Sequence, residues 1–364
     1  MKIIIFLFTT FFLSFAGDGF SQTASIQGKI NSACSTGGTV VLPPLVTLAT
    51  PLFVHCPPGG PSITVQGAPS QITCQTGSAP CVTIGGGIGV SSRDGLALRD
   101  VYIIGPGFVT GSEAIRVTAG FATLDNIRID SFDKGIHFIS SSLLMGDRIT
   151  NAIIGVPNAS VNTSVHLDGE ISNIKFVSPF LSARNRLILS DGPGGSGSGA
   201  SFVGGTFNTT LNPGTASVYV GSNDGSQRQL LLSHIEDWET ACPYLEIGDQ
   251  GNVVIDGVAW TGDPRSSGNI AAIRMLPNTI SWLRISNANL NACSGAHGDL
   301  IRVESASAFL AISTSDLYLG TINFLQPAAA TLVGNRCTWW SGSQLIGNLA
   351  KVRSAGNLGN CPDR

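Results

Sequence analysis

The chain has 364 residues, of which 12% are charged and 43% hydrophobic, and it carries a formal net charge of −3 and 45 glycines. The low charge and slight acidic excess exclude a nucleic-acid-binding surface, which needs clustered cations. A charged share about half the usual one, together with many Val, Ile and Gly residues, excludes a disordered chain and is typical of a β-rich protein with tight turns.

The N-terminus reads MKIIIFLFTTFFLSFAGDGFSQ, with one lysine before an apolar run and small residues after it. This order predicts a secretory signal peptide over residues 1–21. The alternative is a membrane anchor, but a span needs a longer apolar run of ~20 residues. No later segment is long and apolar enough to span. We therefore expect a secreted protein, extracellular or periplasmic, without a membrane span after signal cleavage.

Apolar residues at positions 0, +3 and +5 define a motif that recurs along the chain. Its clean copies are LRDVYI from Leu98, LDNIRI from Leu124, ISNIKF from Ile171, IDGVAW from Ile255 and ISNANL from Ile285. Looser copies begin at Leu144, Phe202, Leu232, Ile312 and Leu332. Positions +1 and +2 are rich in Asn, Asp and Gly, which tolerate the left-handed backbone of a sharp bend between two strands.

A second, shorter strand alternates with this motif. Its copies are AIRV (114–117), GIHF (135–138), SVYV (217–220), YLEI (244–247), AIRM (272–275) and LIRV (300–303), with IIGV (153–156), SVHL (164–167) and LILS (187–190) as further candidates. Such a unit buries its apolar face only when units stack. The pattern predicts an all-β fold, a single-stranded right-handed parallel β-helix of about ten coils. The alternative is a β-sandwich, which favours hairpin turns and shorter spacing between strands.

The stretch GGTVVLPPLVTLATPLFV (37–54) resembles the opening coil of the pectin/pectate lyase-like β-helix superfamily. The resemblance extends over about residues 25–345 and implies a strand face that forms a saccharide groove. The superfamily includes polysaccharide lyases, glycoside hydrolases, phage tailspikes and non-catalytic surface proteins, so its fold leaves function open. The Asn-Thr-Asp, Asp-Asp, Gly-His-Gly and Arg-Ile-Lys motifs of its galacturonan hydrolases are absent here.

We divide the chain into the signal peptide (1–21), a β-helix domain with its N-terminal cap (22–345) and a C-terminal cap or tail (346–364). An even number of cysteines in an exported chain favours disulfides, and no cysteine or histidine cluster has metal spacing. We expect the pairs Cys34–Cys56 and Cys74–Cys81. The pair Cys242–Cys293 is disfavoured, because two coils separate its members by ~10 Å. The eight cysteines are Cys34, Cys56, Cys74, Cys81, Cys242, Cys293, Cys337 and Cys361.

In each short strand, the residue between two buried apolar side chains faces outward, and coils ~4.8 Å apart align these residues in a row. The expected row is Arg116, His137, Gly155 or His166, Ile188, Tyr219, Glu246, Arg274 and Arg302, with Tyr244, Leu300 and Glu304 as second outward positions. His137 is therefore expected to face solvent. The alternative is a solvated surface whose ion pairs contribute little.

This row provides the candidate site, because arginine pairs with carboxylates and tyrosine stacks on sugars. Glu246 and Arg274 are the candidate catalytic residues. The candidate substrate-binding residues are Arg116, His137, Tyr219, Tyr244 and Arg302.

These observations predict an exported protein that acts on or binds an extracellular acidic polysaccharide, as a lyase or a glycoside hydrolase. The alternative is a non-catalytic glycan-binding or structural protein with the same fold. No metal or other cofactor is expected; Ca²⁺ stays open as an alternative, although the chain shows no clear carboxylate cluster for it. Polysaccharide is the expected partner, and the sequence leaves catalysis and oligomeric state open.

Overall fold

The computed structural model describes residues 19, 21–88, 94–139, 143–156, 158–194, 199–210, 212, 214–238, 242–260, 270–293, 298–318, 320–338 and 345–359. Nearly all of the expected signal peptide lies outside these residues, as does Cys361. The described chain forms an all-β parallel β-helix of about 11 turns, which confirms the predicted fold class. None of its helices has the length and apolar character needed to cross a membrane.

Two long sheets run along the helix axis, and their strands pair in parallel from coil to coil. Sheet A has 18 described strands. They are Gly38–Val41, Leu45–Leu48, Ile63–Cys74, Ala97–Ile104, Thr123–Asp130, Arg148–Thr150, Ile153–Ile154, Ile174–Val177, Phe180–Ala183, Ala200–Val203, Thr206–Thr210, Arg228–Ser233, Asp237–Trp238, Gly251–Asp256, Trp282–Ser286, Phe309–Ser313, Ala329–Val333 and Val352–Ala355.

Sheet B has 12 described strands and contains the short repeats found in the sequence, except the candidate IIGV (153–156), whose strand Ile153–Ile154 lies in sheet A. They are Leu52–Val54, Pro80–Ile84, Glu113–Val117, Phe132–Phe138, Val161–Leu167, Arg186–Ser190, Val218–Val220, Leu245–Ile247, Ile273–Met275, Asp299–Val303, Thr321–Phe324 and Leu345–Gly347. A smaller sheet and a two-stranded pair complete the coils. Their strands are Asn289–Asn291, Asp316–Tyr318, Arg336–Thr338 and Leu358–Gly359, and Leu144–Met145 with Ile171–Ser172.

A helix over residues 21–36 covers the first coil. Ile26 and Ile30 are buried against the core. Gln22 Oε1 accepts a hydrogen bond from the backbone N–H of Thr47 in sheet A at 2.8 Å, and the Gln27 amide makes two to the backbone of Phe53 in sheet B. The helix thus satisfies backbone groups in strands of the first coil, one in each sheet, which an open edge would leave unpaired.

The 0/+3/+5 motif places its bend where the sequence predicts. The +2 residue is left-handed in all ten copies, with φ between 48° and 75°. Side chains of successive bends also bond to one another: Asn126 donates to Asp100 at 2.8 Å, and Thr314 donates to Asn287 at 2.8 Å. The ten residues are Asp100, Asn126, Gly146, Asn173, Gly204, His234, Gly257, Asn287, Thr314 and Gly334.

The interior of the coils is one continuous apolar core. The residues at 0, +3 and +5 of the clean motifs are all buried, as in Leu124, Ile127 and Ile129. Phenylalanines continue the stacking between coils, with the ring centroids of Phe176 and Phe202 4.3 Å apart. This confirms that the period in the sequence marks the inward face.

Three disulfides are described: Cys34–Cys56, Cys74–Cys81 and Cys242–Cys293. The first two confirm the predicted pairs. The doubt about Cys242–Cys293 was wrong, since the two Cα atoms lie 5.7 Å apart. Both residues lie outside the paired strands, so coil spacing does not fix their separation. Cys337 is also disulfide-bonded.

A buried carboxyl group lies at the start of one coil. Oδ1 of Asp147 accepts a hydrogen bond from the backbone N–H of Ala122 at 2.6 Å, while Oδ2 has no hydrogen-bond partner among the described residues. Burial raises the pKa of Asp147 to about 7, the charge of Asp94 adds to the rise, and the Ala122 N–H opposes it. Ionisation of Asp147 therefore works against folding.

The left-handed bend at Asn126 can be tested with two substitutions that both remove the hydrogen bond to Asp100. Asn126→Ala keeps a Cβ at φ 53°, while Asn126→Gly does not. We expect the alanine variant to be less stable by about 1 kcal/mol in urea unfolding, because a Cβ disfavours this backbone region. At Thr123, whose backbone is extended, the same pair should rank in the opposite order. Equal stability of the two Asn126 variants would contradict the assignment.

Asp147 should make stability depend on pH. Its folded pKa lies above the unfolded value of about 3.9, so the folded state holds a proton that the unfolded state releases. The contribution is full below the unfolded pKa and is lost as pH rises to about 7, at most about 4 kcal/mol. Urea unfolding between pH 5 and 8 should show a smaller loss of stability for Asp147→Asn than for the parent. Asp125→Asn is the control and should follow the parent.

Candidate functional site

Sheet B aligns outward side chains on successive coils in one row. The register pairs Arg116 with His137, His137 with His166, and Glu246 with Arg274. We name this row the central column; its members are Arg116, His137, His166, Leu189, Tyr219, Glu246, Arg274 and Arg302. His166 is the member, not Gly155. The expectation for Ile188 was wrong, because Ile188 is buried beside Val165 and the next residue takes the outward place.

His137 occupies its expected place but is only 2% exposed, so the expectation of a solvent-facing side chain was wrong. Its ring stacks on His166, with centroids 4.5 Å apart and planes within 2° of parallel. Nδ1 lies 2.9 Å from Oε1 of Glu113, and Nε2 lies 3.4 Å from Oδ2 of Asp168. Side chains from both adjacent coils therefore cover the imidazole.

Tyr244 is 0% exposed, so its expected outward position was also wrong. Its ring stacks on buried Trp260 at a centroid distance of 4.6 Å. The cause is an irregularity in the strands of sheet B: the backbone N–H groups of Tyr244 and Leu245 both bond to the carbonyl of Ala272. Two consecutive side chains then point inward, and the alternation of a regular strand is lost. Leu300 is buried at the equivalent position.

The same irregularity turns a further row outward, three positions before the central column. We name it the N-terminal column; its described members include Glu113, Lys134, Thr163, Arg186 and Asp299. Arg116 donates from Nε and Nη2 to Glu113 at 2.7 and 3.0 Å, and Arg302 donates from Nε to Asp299 at 2.6 Å. In both pairs the carboxylate is buried and the guanidinium is partly exposed, so the cations face outward from sheet B.

The two candidate catalytic residues form an ion pair. Arg274 Nη1 donates to Glu246 at 2.8 Å, and Nε donates to Glu304 of the next coil at 3.0 Å. The hydrogen bond to Glu304 is the largest effect that holds the pKa of Arg274 above its ordinary value, while burial opposes it. An arginine held between two carboxylates is a poor proton acceptor, so this group ties three coils together rather than presenting a base.

A pair of aspartates lies at equivalent positions on two adjacent coils. Asp168 and Asp191 directly follow Leu167 and Ser190, which pair in register. Their side chains are 34% and 41% exposed. Each contacts a histidine of the preceding coil: Asp168 lies 3.4 Å from His137, and Asp191 lies 2.8 Å from Nε2 of His166. Because each carboxyl group contacts a histidine one coil before it, we expect the two carboxyl groups to lie about one coil spacing, ~4.8 Å, apart.

Three groups of this cluster, Glu113, Asp191 and His137, have shifted pKa values. Burial raises the pKa of Glu113, but hydrogen bonds from His137 and Arg116 outweigh it and bring the pKa to about 2. Burial likewise raises the pKa of Asp191, and the hydrogen bond and charge of His166 lower it below its ordinary value. Burial lowers the pKa of His137, while Glu113 raises it. Glu113 and Asp191 are therefore anions at neutral pH.

A buried arginine lies beneath the two aspartates. Arg228 is 1% exposed and donates four hydrogen bonds. Burial lowers its pKa to about 10, which leaves it a cation at neutral pH. Its acceptors flank Asp168 and Asp191, so it fixes the backbone of both turns. These acceptors are the carbonyls of Leu167, Gly169 and Pro193 and the hydroxyl of Ser190.

Next to the aspartates, Tyr219 lies across the backbone of two glycines. A Cβ at Gly221 or Gly248 would come within 2.8 or 2.5 Å of its hydroxyl oxygen. The guanidinium of Arg186 is 5.2 Å from the ring centroid. Among the described residues Arg186 has no carboxylate within ion-pair distance, and its hydrogen bond to the carbonyl of Ala216 is 3.4 Å long. Arg186 therefore keeps donors for a ligand.

His137, His166 and Asp168 bring potential metal-ligand atoms within 4.8 Å of one another. Their geometry does not suit a single ion. A metal binds in the plane of an imidazole ring at ~2.1 Å from its nitrogen. The two rings are stacked and within 2° of parallel, so one ion cannot lie in both planes. We assign no metal centre to these residues.

Sequence reasoning missed Glu113, Asp168, Asp191, Arg186 and Arg228. A signal for the aspartates was present, because two copies of the short strand, SVHL (164–167) and LILS (187–190), are each followed by Asp. No comparable pattern marks Arg228, which belongs to sheet A and reaches the turns of two preceding coils.

Arg228 should be important for stability. Arg228→Met leaves buried carbonyl and hydroxyl acceptors without a donor, so we expect a loss of about 2–4 kcal/mol in the free energy of unfolding. Arg284→Met, at an exposed position of sheet A, is the matched control and should stay within about 0.5 kcal/mol of the parent. Urea unfolding measures both. Equal midpoints for the two variants would show that Arg228 does not hold the turns.

Comparison of the chain with models of known protein families gives no match, and comparison with curated proteins finds no similar sequence.

Proposed function

We propose that this protein binds a polysaccharide along the outer face of sheet B and hydrolyses it, with Asp168 and Asp191 as the catalytic carboxylates. The observation that carries the proposal is their placement: two partly exposed aspartates occupy the same position on adjacent coils, each beside a histidine. Most glycoside hydrolases use a pair of carboxyl groups on either side of the bond they cleave.

The spacing of the two carboxyl groups supports a retaining mechanism. Retaining enzymes hold them ≈ 5–5.5 Å apart and inverting enzymes about 6.5–9.5 Å apart, and one coil spacing is ~4.8 Å. Asp191, an anion, attacks the anomeric carbon while Asp168 protonates the leaving oxygen, and the C–O bond breaks. Water, deprotonated by Asp168, then hydrolyses the glycosyl ester on Asp191.

The surroundings of the aspartates support an acidic sugar as substrate. Arg186 offers a planar guanidinium beside the ring of Tyr219, with no carboxylate within ion-pair distance in the described part of the chain. Arginine matches the geometry of a uronate carboxylate, and an aromatic face supports a sugar ring. Arg116 and Arg302 present further guanidinium groups along the same face.

Export is part of the proposal. The apolar N-terminal segment has the order of a signal peptide, and the described disulfides fit an oxidising compartment. The resemblance of residues 37–54 to the pectin/pectate lyase-like superfamily supports the same role, because its members present saccharide grooves on this strand face.

The test is a screen of the purified mature protein against polyuronates and neutral glycans. Reducing ends report hydrolysis, ultraviolet absorbance reports the unsaturated product of a lyase, and proton NMR reports the anomer released first. We expect new reducing ends from an acidic glycan, with retained configuration. Unsaturated products would replace hydrolysis by β-elimination, and binding without turnover would support the non-catalytic alternative.

Asp168→Asn and Asp191→Asn should each lower kcat by at least ~10²-fold, because each removes a group that acts in the transition state. Their melting temperatures should change little, since both side chains are partly exposed. Asp125→Asn on sheet A is the control with unchanged kcat. Full activity of either variant at position 168 or 191 would rule out this pair as the catalytic acids.

A further inference from the structure

The hydrogen bond between His137 and Glu113 fixes the tautomer of the histidine. Oε1 of Glu113 lies 2.9 Å from Nδ1 of His137, and the same carboxylate accepts two hydrogen bonds from Arg116. An ionised carboxylate only accepts, so Nδ1 must carry a hydrogen. In the neutral ring the lone pair is then on Nε2.

That lone pair lies opposite the carboxyl group of Asp168. Nε2 of His137 is buried and has no hydrogen-bond partner among the described residues, and Oδ2 of Asp168 lies 3.4 Å away. A lone pair on Nε2 and an ionised carboxylate are both acceptors and make no hydrogen bond to each other, which leaves the buried Nε2 unsatisfied. One proton between them makes a hydrogen bond, and such bonds are often long before substrate binds.

The pair His166–Asp191 differs from the pair His137–Asp168 in one residue on the coil that precedes its histidine. The residue in register with Glu113 on the next coil is Lys134, which has no acceptor. His166 is therefore free to carry its hydrogen on Nε2 and donate it to Asp191 at 2.8 Å. This pair is satisfied with a neutral ring and an ionised carboxylate, and it needs no additional proton.

Charged groups from every neighbouring element face His137. Glu113 favours a proton on the ring, while His166 and Lys134 oppose it, and burial opposes it most. Burial therefore disfavours a second proton held by the ring alone, and a proton at Nε2 would be shared with the carboxyl group opposite it. The groups are Glu113, with Arg116 bound to it, Lys134 on the same strand, and His166 and Asp168 on the next coil.

We propose that His137 and Asp168 hold one proton between them, that Glu113 imposes this through the tautomer of His137, and that the two aspartates thereby have different roles. Asp168 is the acid, because its side chain is more exposed than that of His137 and can reach a ligand on the outer face of sheet B. Asp191 stays ionised and attacks. The assignment of these roles rests on the proposed function; the shared proton does not.

The reaction balances with this single proton. Asp168 gives it to the glycosidic oxygen as the bond to the anomeric carbon breaks, and Asp191 forms the new bond to that carbon. When water replaces Asp191, its proton returns to Asp168 and His137. Glu113 never contacts substrate; it acts as a positioning residue through the ring of His137.

The shared proton can be measured without any substrate. In protein labelled with ¹⁵N-histidine, two-bond proton–nitrogen spectra distinguish protonated from unprotonated ring nitrogens, and His137→Gln and His166→Gln assign the signals. At pH 7 we expect Nε2 of His137 at a protonated or intermediate shift, and Nδ1 of His166 at an unprotonated one. Asp168→Asn should move Nε2 of His137 to the unprotonated shift, whereas Asp191→Asn should leave it unchanged. An unprotonated Nε2 in the parent would overturn the inference.

Kinetics separate this inference from the proposed function. Asp168→Asn should recover turnover on a glycoside with a good leaving group, which needs no acid, and Asp191→Asn should not. Glu113→Gln should shift the alkaline limb of the pH–rate profile to lower pH with KM unchanged, since the pair then holds its proton less tightly. If the NMR result holds but no glycan is cleaved, the proposed function fails alone. If both aspartates are needed but Nε2 is unprotonated, the inference fails alone.

Discussion

The whole molecule depends on a sharp left-handed bend that ends one strand and begins the next. In each copy of the long motif the residue at +2 adopts this backbone, and most of these residues are Asn, Asp or Gly. The bend lets apolar residues on both sides of the corner reach one core. Because every coil turns at the equivalent place, strands stack in register, and a side chain on one coil meets its counterpart ~4.8 Å away on the next.

This register also governs the chemistry of the outer face. A side chain there is controlled less by its sequence neighbours than by residues one coil before and after it. His137 and His166 have nearly the same setting along the strand, yet the coil before one supplies Glu113 and the coil before the other supplies Lys134. Arg228 acts over a longer range, since it holds two turns of sheet B from a strand of sheet A.

The sequence was sufficient for the fold and for most of the central column, because both follow from a period that a single chain displays, but it placed Ile188 where Leu189 lies. It was insufficient where a strand departs from strict alternation. Tyr244 and Leu300 were placed outside because strict alternation was assumed, although several short-strand copies, such as AIRM and LIRV, begin with two apolar residues. His137 was expected in water because its cover comes from Glu113, His166 and Asp168, which only the coil register brings together. The spacing of the short strands places Glu246 beside Arg274 on adjacent coils, as the structure shows. Nothing in the sequence indicates that the buried side chain of Arg228 bonds to turns of two preceding coils.

The helix over residues 21–36 has a consequence for assembly. A parallel solenoid ends in a row of unsatisfied backbone groups, which is a template for another chain to join end to end. Gln22 and Gln27 bond to backbone groups of first-coil strands in both sheets, and Ile26 and Ile30 cover the apolar core behind them. The helix therefore blocks strand pairing with a second molecule at this end, and so opposes the end-to-end growth of fibres.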